Sequence, residues 1–313
     1  MAQDTASATI KLRSLTQKFD AAVLATVPYY PRISSIVPSS GADEEYAQLG
    51  APSSVREWLG DREFDQPRAQ RFVIVNALWE SSEAIQQIDI DDDRLGLYGT
   101  RLAEMGKRAA RHPDELLINL VNAGQTTVSL DGQFFFDTDH SWGDSGTQSN
   151  LITVAGIADP ANPTPDEAKK AYMEGLHALL SFKDDKGKNM HQDFVVNQED
   201  SVSVTVLTDL DLRQNMIDAL NAALTGGGNT NIVINRADVA ASPTFTTANA
   251  FDIYRTDVEF KPYVFQARDP LTRQMKFSGS GDIEFKDVKF MTRARYQLGV
   301  GAWWNAVRIL MTV

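Results

Sequence analysis

Apolar positions fall at three- and four-residue steps through 5–26, at Leu12, Leu15, Phe19, Ala22 and Val23, and predict an amphipathic helix. It stops at Pro28, and Tyr29, Tyr30 and Pro31 lead out in extended form, so the helix reads as a terminal arm more than a core element. From 37 to 70 the chain is rich in Pro, Ser, Gly and charge, yet it carries Tyr46, Leu49, Val55, Trp58, Leu59 and Phe64. Connections in compact domains usually run to about 4–6 residues, so this one is exceptional. Residues 71–85 then read as one long strand, with Phe72, Val73, Ile74, Val75, Leu78 and Trp79 in a β-favouring run. Together they predict a two-stranded excursion whose apolar tip has no core of its own to join.

A helical stripe follows at Leu95, Tyr98, Leu102, Met105 and Ala109, and Pro113-Asp114-Glu115 restarts a helix through Leu116, Leu117, Leu120 and Val121 to Gly124. If it passes through Pro113 as a single rod, roughly 30 residues at about 1.5 Å each make a spine of some ~45 Å. Asp131-Gly132, between 127–130 and 133–136, predicts a hairpin with a type I′ turn. A polar loop covers 137–150. Thr164-Pro165-Asp166-Glu167 is a capping box opening a helix with Ala168, Tyr172, Leu176, Leu179 and Leu180 inward. Strands are expected at 195–196 and 202–207, a helix over 209–224, a flexible break at Gly226-Gly227-Gly228, and mostly strands from Ile232, including 263–267, 283–290 and 293–300.

Composition narrows the class. The chain has 313 residues, 42% of them apolar and 23% charged, enough for one large or two modest folded domains. Its net charge of -12 argues against general nucleic-acid binding, which needs a basic face. The charge is uneven: Lys11, Arg13, Lys18 and Arg32 outweigh Asp4 and Asp20 in the first 36 residues, 255–313 is also net basic, and the middle is strongly acidic. With no cysteine there is no disulfide, thiolate or iron–sulfur chemistry. The polar N-terminus lacks a signal-peptide core, and 299–313 is too short and too interrupted by Asn305 and Arg308 to span a bilayer, so the sequence reads as a soluble cytosolic product.

Candidate chemistry is sparse. Gly143-Asp144-Ser145-Gly146 matches the run around a trypsin-like nucleophile, but His112, His140, His177 and His191 lack that family's setting, and Thr147-Gln148 replaces Gly-Pro. Asp137-Thr138-Asp139-His140 sets two carboxylates and an imidazole on an extended segment, a possible hard-cation ligand set, though an Asx-rich turn explains it better. Asp89, Asp91 and Asp93 begin like a calcium loop, but Arg94 stands at the required Gly and Thr100 at the bidentate Glu. No phosphate-binding glycine loop is present, since Gly226–Gly228 lacks the following Lys and Ser/Thr. We therefore expect no catalytic residue, no metal and no cofactor.

The blocks Arg56-Glu57-Trp58-Leu59-Gly60-Asp61-Arg62, Asp91-Asp92-Asp93-Arg94-Leu95-Gly96-Leu97-Tyr98, His112-Pro113-Asp114-Glu115-Leu116 and Asp131–His140 closely resemble the Mu-like phage major head subunit family, as does Lys261-Pro262-Tyr263-Val264-Phe265-Gln266. The resemblance runs along nearly the whole chain, with departures around 141–165 and 268–282. It implies an α+β fold of the Hong Kong 97 capsid type, divided into an N-terminal arm (1–36), an extended E-loop (37–88), a P-domain with the spine helix (89–125, completed by 255–313) and an A-domain (126–254). It further implies self-assembly as pentamers and hexamers into an icosahedral shell around double-stranded DNA. A scaffold protein would help assembly, portal, head-completion and possible decoration proteins would join it, and packaged DNA would be contacted non-specifically, with no membrane involved. Such a protein would be built in the host cytoplasm and end in the virion capsid. Expected subunit-interface residues are Arg56, Trp58, Leu59, Asp61 and Arg62 near the tip of the excursion, and Lys11, Arg13 and Lys18 on the arm. The alternatives are a cellular nanocompartment shell of the same fold and a hydrolase using Ser145.

Overall fold

The computed structural model describes residues 2–49, 60, 69–86, 89, 95–191, 204–221, 237–278 and 287–313. Its helices are α1 (Ala2–Ala25), α2 (Leu95–Asn122), α3 (Pro165–Leu180) and α4 (Leu210–Asn221). The strands are β1 (Ser34–Pro38), β2 (Asp43–Leu49), β3 (Ala69–Val75), β4 (Ala77–Gln86), β5 (Leu151–Val154), β6 (Val204–Thr208), β7 (Asp238–Ala241), β8 (Ala250–Arg255), β9 (Tyr263–Ser278), β10 (Asp287–Val300) and β11 (Ala306–Met311). Two sheets dominate, one ordered β1-β9-β10-β4 and one ordered β5-β11-β8-β6-β7, while β2 and β3 form a two-stranded ribbon among the described residues.

The five-stranded sheet and its two helices hold the larger core. α3 begins where the sequence places it: the Thr164 hydroxyl accepts from Glu167 N–H, and the Glu167 carboxylate takes Thr164 N–H at 2.9 Å, closing the capping box. Its buried face, Ala168, Ala171, Tyr172, Gly175 and Leu179, rests on β8 and β11, close enough that a Cβ at Gly175 would stand 2.6 Å from both Ile253 and Ile309. β6 and β8, inside that sheet, are buried at every position, the two threonines of β6 and Asp252 and Arg255 of β8 included.

α2 is one helix of 28 residues with Pro113 inside it, about 42 Å long at about 1.5 Å per residue, so the rod continues through the proline. α1 is not a free arm. It lies beside α2 and runs the same way: Lys18 lies over Gly99, Phe19 and Ala22 meet Gly106, and the N–H groups of Tyr29 and Tyr30 donate to the Asp114 carboxylate at 2.7–3.0 Å. Its apolar stripe finds cover in its own chain, where Leu15 and Phe19 form a second core with Leu102, Met105, Ile85, Val288 and Phe290.

Two local expectations are corrected. The single strand over 71–85 is two strands on different sheets, because Asn76 breaks the run: β3 pairs with β2, and β4 pairs with β10. The Asp131-Gly132 turn has a positive φ only at Gly132 (85°), with Ser129 N–H bonded to Gln133 O at 2.7 Å, so it is a three-residue loop with a glycine bulge and not type I′. The expected strand at 195–196 and the Gly226–Gly228 break lie outside the described residues.

Candidate functional site

The groups that could have carried chemistry are committed to structure. Ser145 is buried in a turn, its Oγ accepting Trp142 N–H at 2.9 Å and donating to Gly146 O at 2.9 Å, and no hydrogen bond joins it to a histidine. His140 points inward, with Nδ1 2.7 Å from Asp131 and Nε2 3.2 Å from Asn150 Oδ1, and its ring stacks on Trp303 at 3.9 Å. Asn150 donates onward to Phe135 O at 2.7 Å and Trp303 O at 3.3 Å, so this group ties the 127–136 hairpin to the lead into β11. Asp137 accepts the N–H groups of Phe134 and Thr138, and Asp139 accepts from Gln133, the bonding of an Asx-rich turn. Among the described residues no cluster of three His, Asp or Glu side chains is placed to hold a metal. Asp91 and Asp93 lie outside them, and Asp89 accepts from the Tyr98 hydroxyl.

A charged pair that the sequence reading passed over lies at the centre of the molecule. Arg308 of β11 and Asp252 of β8 are both fully buried and meet in a two-pronged pair, Nε to Oδ1 and Nη2 to Oδ2, each 2.7 Å. Arg308 Nη2 also donates to Val121 O at 2.9 Å, in the last turn of α2, and the guanidinium lies 4.2 Å from the centre of the Phe136 ring. Tyr254 donates to Asp252 at 2.8 Å, and burial pushes the hydroxyls of Tyr254 and Tyr263 above their ordinary range. The pair thus locks the end of the spine helix to the large sheet. Its sequence signal was a lone Arg in Val-Arg-Ile-Leu and a lone Asp in Phe-Asp-Ile-Tyr, each in a strand too apolar to face water.

The β2–β3 ribbon is held at its base and along one face. Asn76 donates to Ser39 Oγ at 2.7 Å and Gly41 O at 3.0 Å, while the Glu44 carboxylate gathers Ser40 N–H at 2.7 Å, Gly41 N–H at 2.9 Å and the Ser39 hydroxyl at 3.0 Å. Those hydrogen bonds, the backbone ones first, hold Glu44 below the usual carboxylate range. Further along, Tyr46 donates to Gln266 of β9 at 2.8 Å, Gln266 donates to Ile74 O at 3.2 Å, and Ile74 sits on Gly299, where a Cβ would be 2.5 Å from it. The opposite face exposes Val73 and Val75. Of the expected interface residues, Arg56, Trp58, Leu59, Asp61 and Arg62 lie outside the described residues; Lys11 lies in α1, and Arg13 and Lys18 are exposed on it.

Residues 10–162 match the family described as Mu-like prophage major head subunit gpT. A curated relative, the Mu-like prophage FluMu major head subunit of Haemophilus influenzae, is 38% identical over 130 residues, which cover 42% of this chain and 42% of that protein. The alignment thus spans about two fifths of that relative's length. Among solved structures, the capsid of cyanophage P-SCSP1u superposes with a TM-score of 0.61 at 10% identity, covering 91% of this chain and 88% of that one. A virus-like particle from Pyrococcus furiosus gives 0.56 at 9% identity, covering 95% and 98%. Identities this low speak to the fold alone.

Proposed function

We propose, on the premise that residues 10–162 belong to the Mu-like prophage major head subunit gpT family and that the α+β fold is of the Hong Kong 97 capsid type, that this chain is the major capsid protein of a tailed phage or prophage. It works by self-assembly into a closed shell and ends in the virion. The observation that carries the reading is the coincidence of the family match in the first half with a capsid fold over nine tenths of the chain.

The physical picture agrees. A shell subunit needs no reaction centre, and Ser145, the one candidate nucleophile, is spent on closing a turn. In this proposal the subunits close as pentamers and hexamers around double-stranded DNA in the host cytoplasm, with a scaffold protein guiding assembly and portal and head-completion proteins joining it. The divisions 1–36, 37–88, 89–125 with 255–313, and 126–254 serve as arm, E-loop, P-domain and A-domain. The ribbon, with Trp58 and Leu59 toward its tip, reaches over a neighbour, since exposed apolar surface marks contact sites. An acidic body suits a lining that must not grip phosphate. The likeness to the Pyrococcus particle keeps a second reading, a nanocompartment shell around protein cargo. Negative-stain microscopy of the expressed protein, with the nucleic-acid content of any particles, tests both. Empty fields refute a shell, and particles with protein cargo and no DNA from an induced prophage refute the phage head.

A further inference from the structure

α2 crosses one face of the four-stranded sheet and leaves a flank on either side. On the β9 side α1 fills the flank, with Leu15 and Phe19 buried over Val288 and Phe290 and Asp20 held by Arg273 of β9 at 2.6 Å. On the β4 side lies an open groove of about 950 Å³. Its floor is low because Ser81 stands opposite Thr292, and Trp79 opposite Ala294, across the β4–β10 pair. Its α2 wall runs from Leu97 to Glu115, about 27 Å at about 1.5 Å per residue, the length of a helix of about 18 residues. A helix already lies against α2 over the same sheet face on the other flank.

The two halves of the groove differ in chemistry. Along the first, Leu97, Met105 and Ala109 supply apolar wall, and the charges are matched: Arg101 pairs with Glu83 at 2.8 Å and Arg108 lies 3.6 Å from Glu104. At the Glu115 end the Trp79 and His112 rings stand 4.4 Å apart, and His112 Nδ1 is 2.7 Å from the Tyr296 hydroxyl. Glu80 and Glu115 border these rings. Glu80 takes a hydrogen bond from the Ser82 hydroxyl at 2.6 Å, and neither carboxylate has an ion-pair partner among the described residues. Aromatic faces beside two unmatched carboxylates suit a guanidinium or an ammonium. The chain's own helices do not supply that cation. Lys11, Arg13 and Lys18 of α1 are set beside the first turn of α2 in their own subunit by the contacts of Phe19 and Ala22 with Gly106 and of Tyr29 and Tyr30 with Asp114. α3 and α4 each carry more carboxylates than cations. The stretches 50–68, 87–94, 192–203 and 279–286 are net acidic, and 222–236 has a single arginine.

We infer that the groove between α2 and β4 is a docking site for a cationic amphipathic helix of a different protein, its apolar stripe along Leu97 and Met105 and an arginine or lysine over Trp79 between Glu80 and Glu115. The inference stands on the groove itself and is tested on unassembled subunits, so it holds or fails apart from the shell reading.

The probe is a synthetic amphipathic helix of about 18 residues with a leucine stripe and two arginines at one end of it, beside a twin with glutamine in place of both arginines. By fluorescence anisotropy on unassembled subunits, the arginine peptide should bind at least tenfold more tightly than its twin. Glu80→Gln with Glu115→Gln should remove most of that difference. Thr100→Trp, which fills the groove from an exposed position on α2, should weaken both peptides at least tenfold and leave the melting temperature unchanged. Equal affinity of the two peptides, or binding indifferent to Thr100→Trp, overturns the docking. Peptides that do not bind, with Thr100→Trp lowering the subunits' own association in sedimentation velocity, would assign the groove to a second copy and overturn it equally.

Discussion

Replacing Arg308 by Met should destabilise the unassembled subunit by about 3–5 kcal/mol, the cost of stranding a buried charge by removing its partner. The methionine keeps most of the volume beside Phe136, so the loss is electrostatic more than a cavity. Among the described residues Asp252 would retain the Tyr254 hydroxyl at 2.8 Å, and Val121 O would lose the guanidinium that closes the last turn of α2. Since a kilocalorie moves the melting temperature of a domain this size by roughly 2–4 °C, the transition should fall by at least about 6 °C. The double variant Asp252→Asn, Arg308→Met removes the stranded charge, keeps an acceptor for Tyr254, and should recover more than half of the loss. Thermal unfolding of unassembled subunits followed by circular dichroism reads both. A single variant within about 1 kcal/mol of the parent, or a double variant no better than the single, would show that the pair is not what joins the spine helix to the sheet.

Gly299→Ala should push Ile74 off β10 and loosen the ribbon, raising amide exchange across 43–49 and 69–75; unchanged exchange there would contradict the clamp. Glu44, whose folded-state pKa lies below its ordinary value, stabilises the ribbon base fully above about pH 5 and loses that contribution as pH falls through the depressed value. Protection of the Ser40 and Gly41 amides, taken relative to the intrinsic exchange rate at each pH, should therefore fall as pH drops below about 5 in the parent and be low and flat in Glu44→Gln; a parent profile as flat as the variant's would sink this. Trp58→Ala should weaken assembly by about 2 kcal/mol per contact without unfolding the subunit, and normal particle yield and stability would count against its place at an interface.

What could be read from the residues, and what could not, follows from the range of the forces involved. The capping box at Thr164 and Glu167 is local, and the helix starts where it stands. The stripe of α2 survived Pro113 because a helix packed along its length tolerates one missing hydrogen bond, and a sequence pattern could not decide between a kinked rod and two helices. Asn76 looks like one polar residue in a β-favouring run; only its bonds to Ser39 and Gly41, 37 and 35 residues away, make it the point where the chain changes sheet. The stripe of α1 was legible, but its cover comes from residues as distant as Val288 and Phe290. Arg308 and Asp252 escaped because a buried charge advertises itself only once its partner is seen across the sheet. That no base stands beside Ser145 in the trypsin-like setting was legible; that its hydroxyl closes a turn between Trp142 and Gly146 was not.

The central claim is that this chain closes into a shell. Sedimentation velocity of the purified protein, with and without a co-expressed scaffold, measures it most directly, with electron microscopy of the fastest fraction. The account predicts a large, homogeneous boundary that resolves into closed icosahedral particles built from pentamers and hexamers. A chain that stays monomeric or dimeric in both preparations would contradict it.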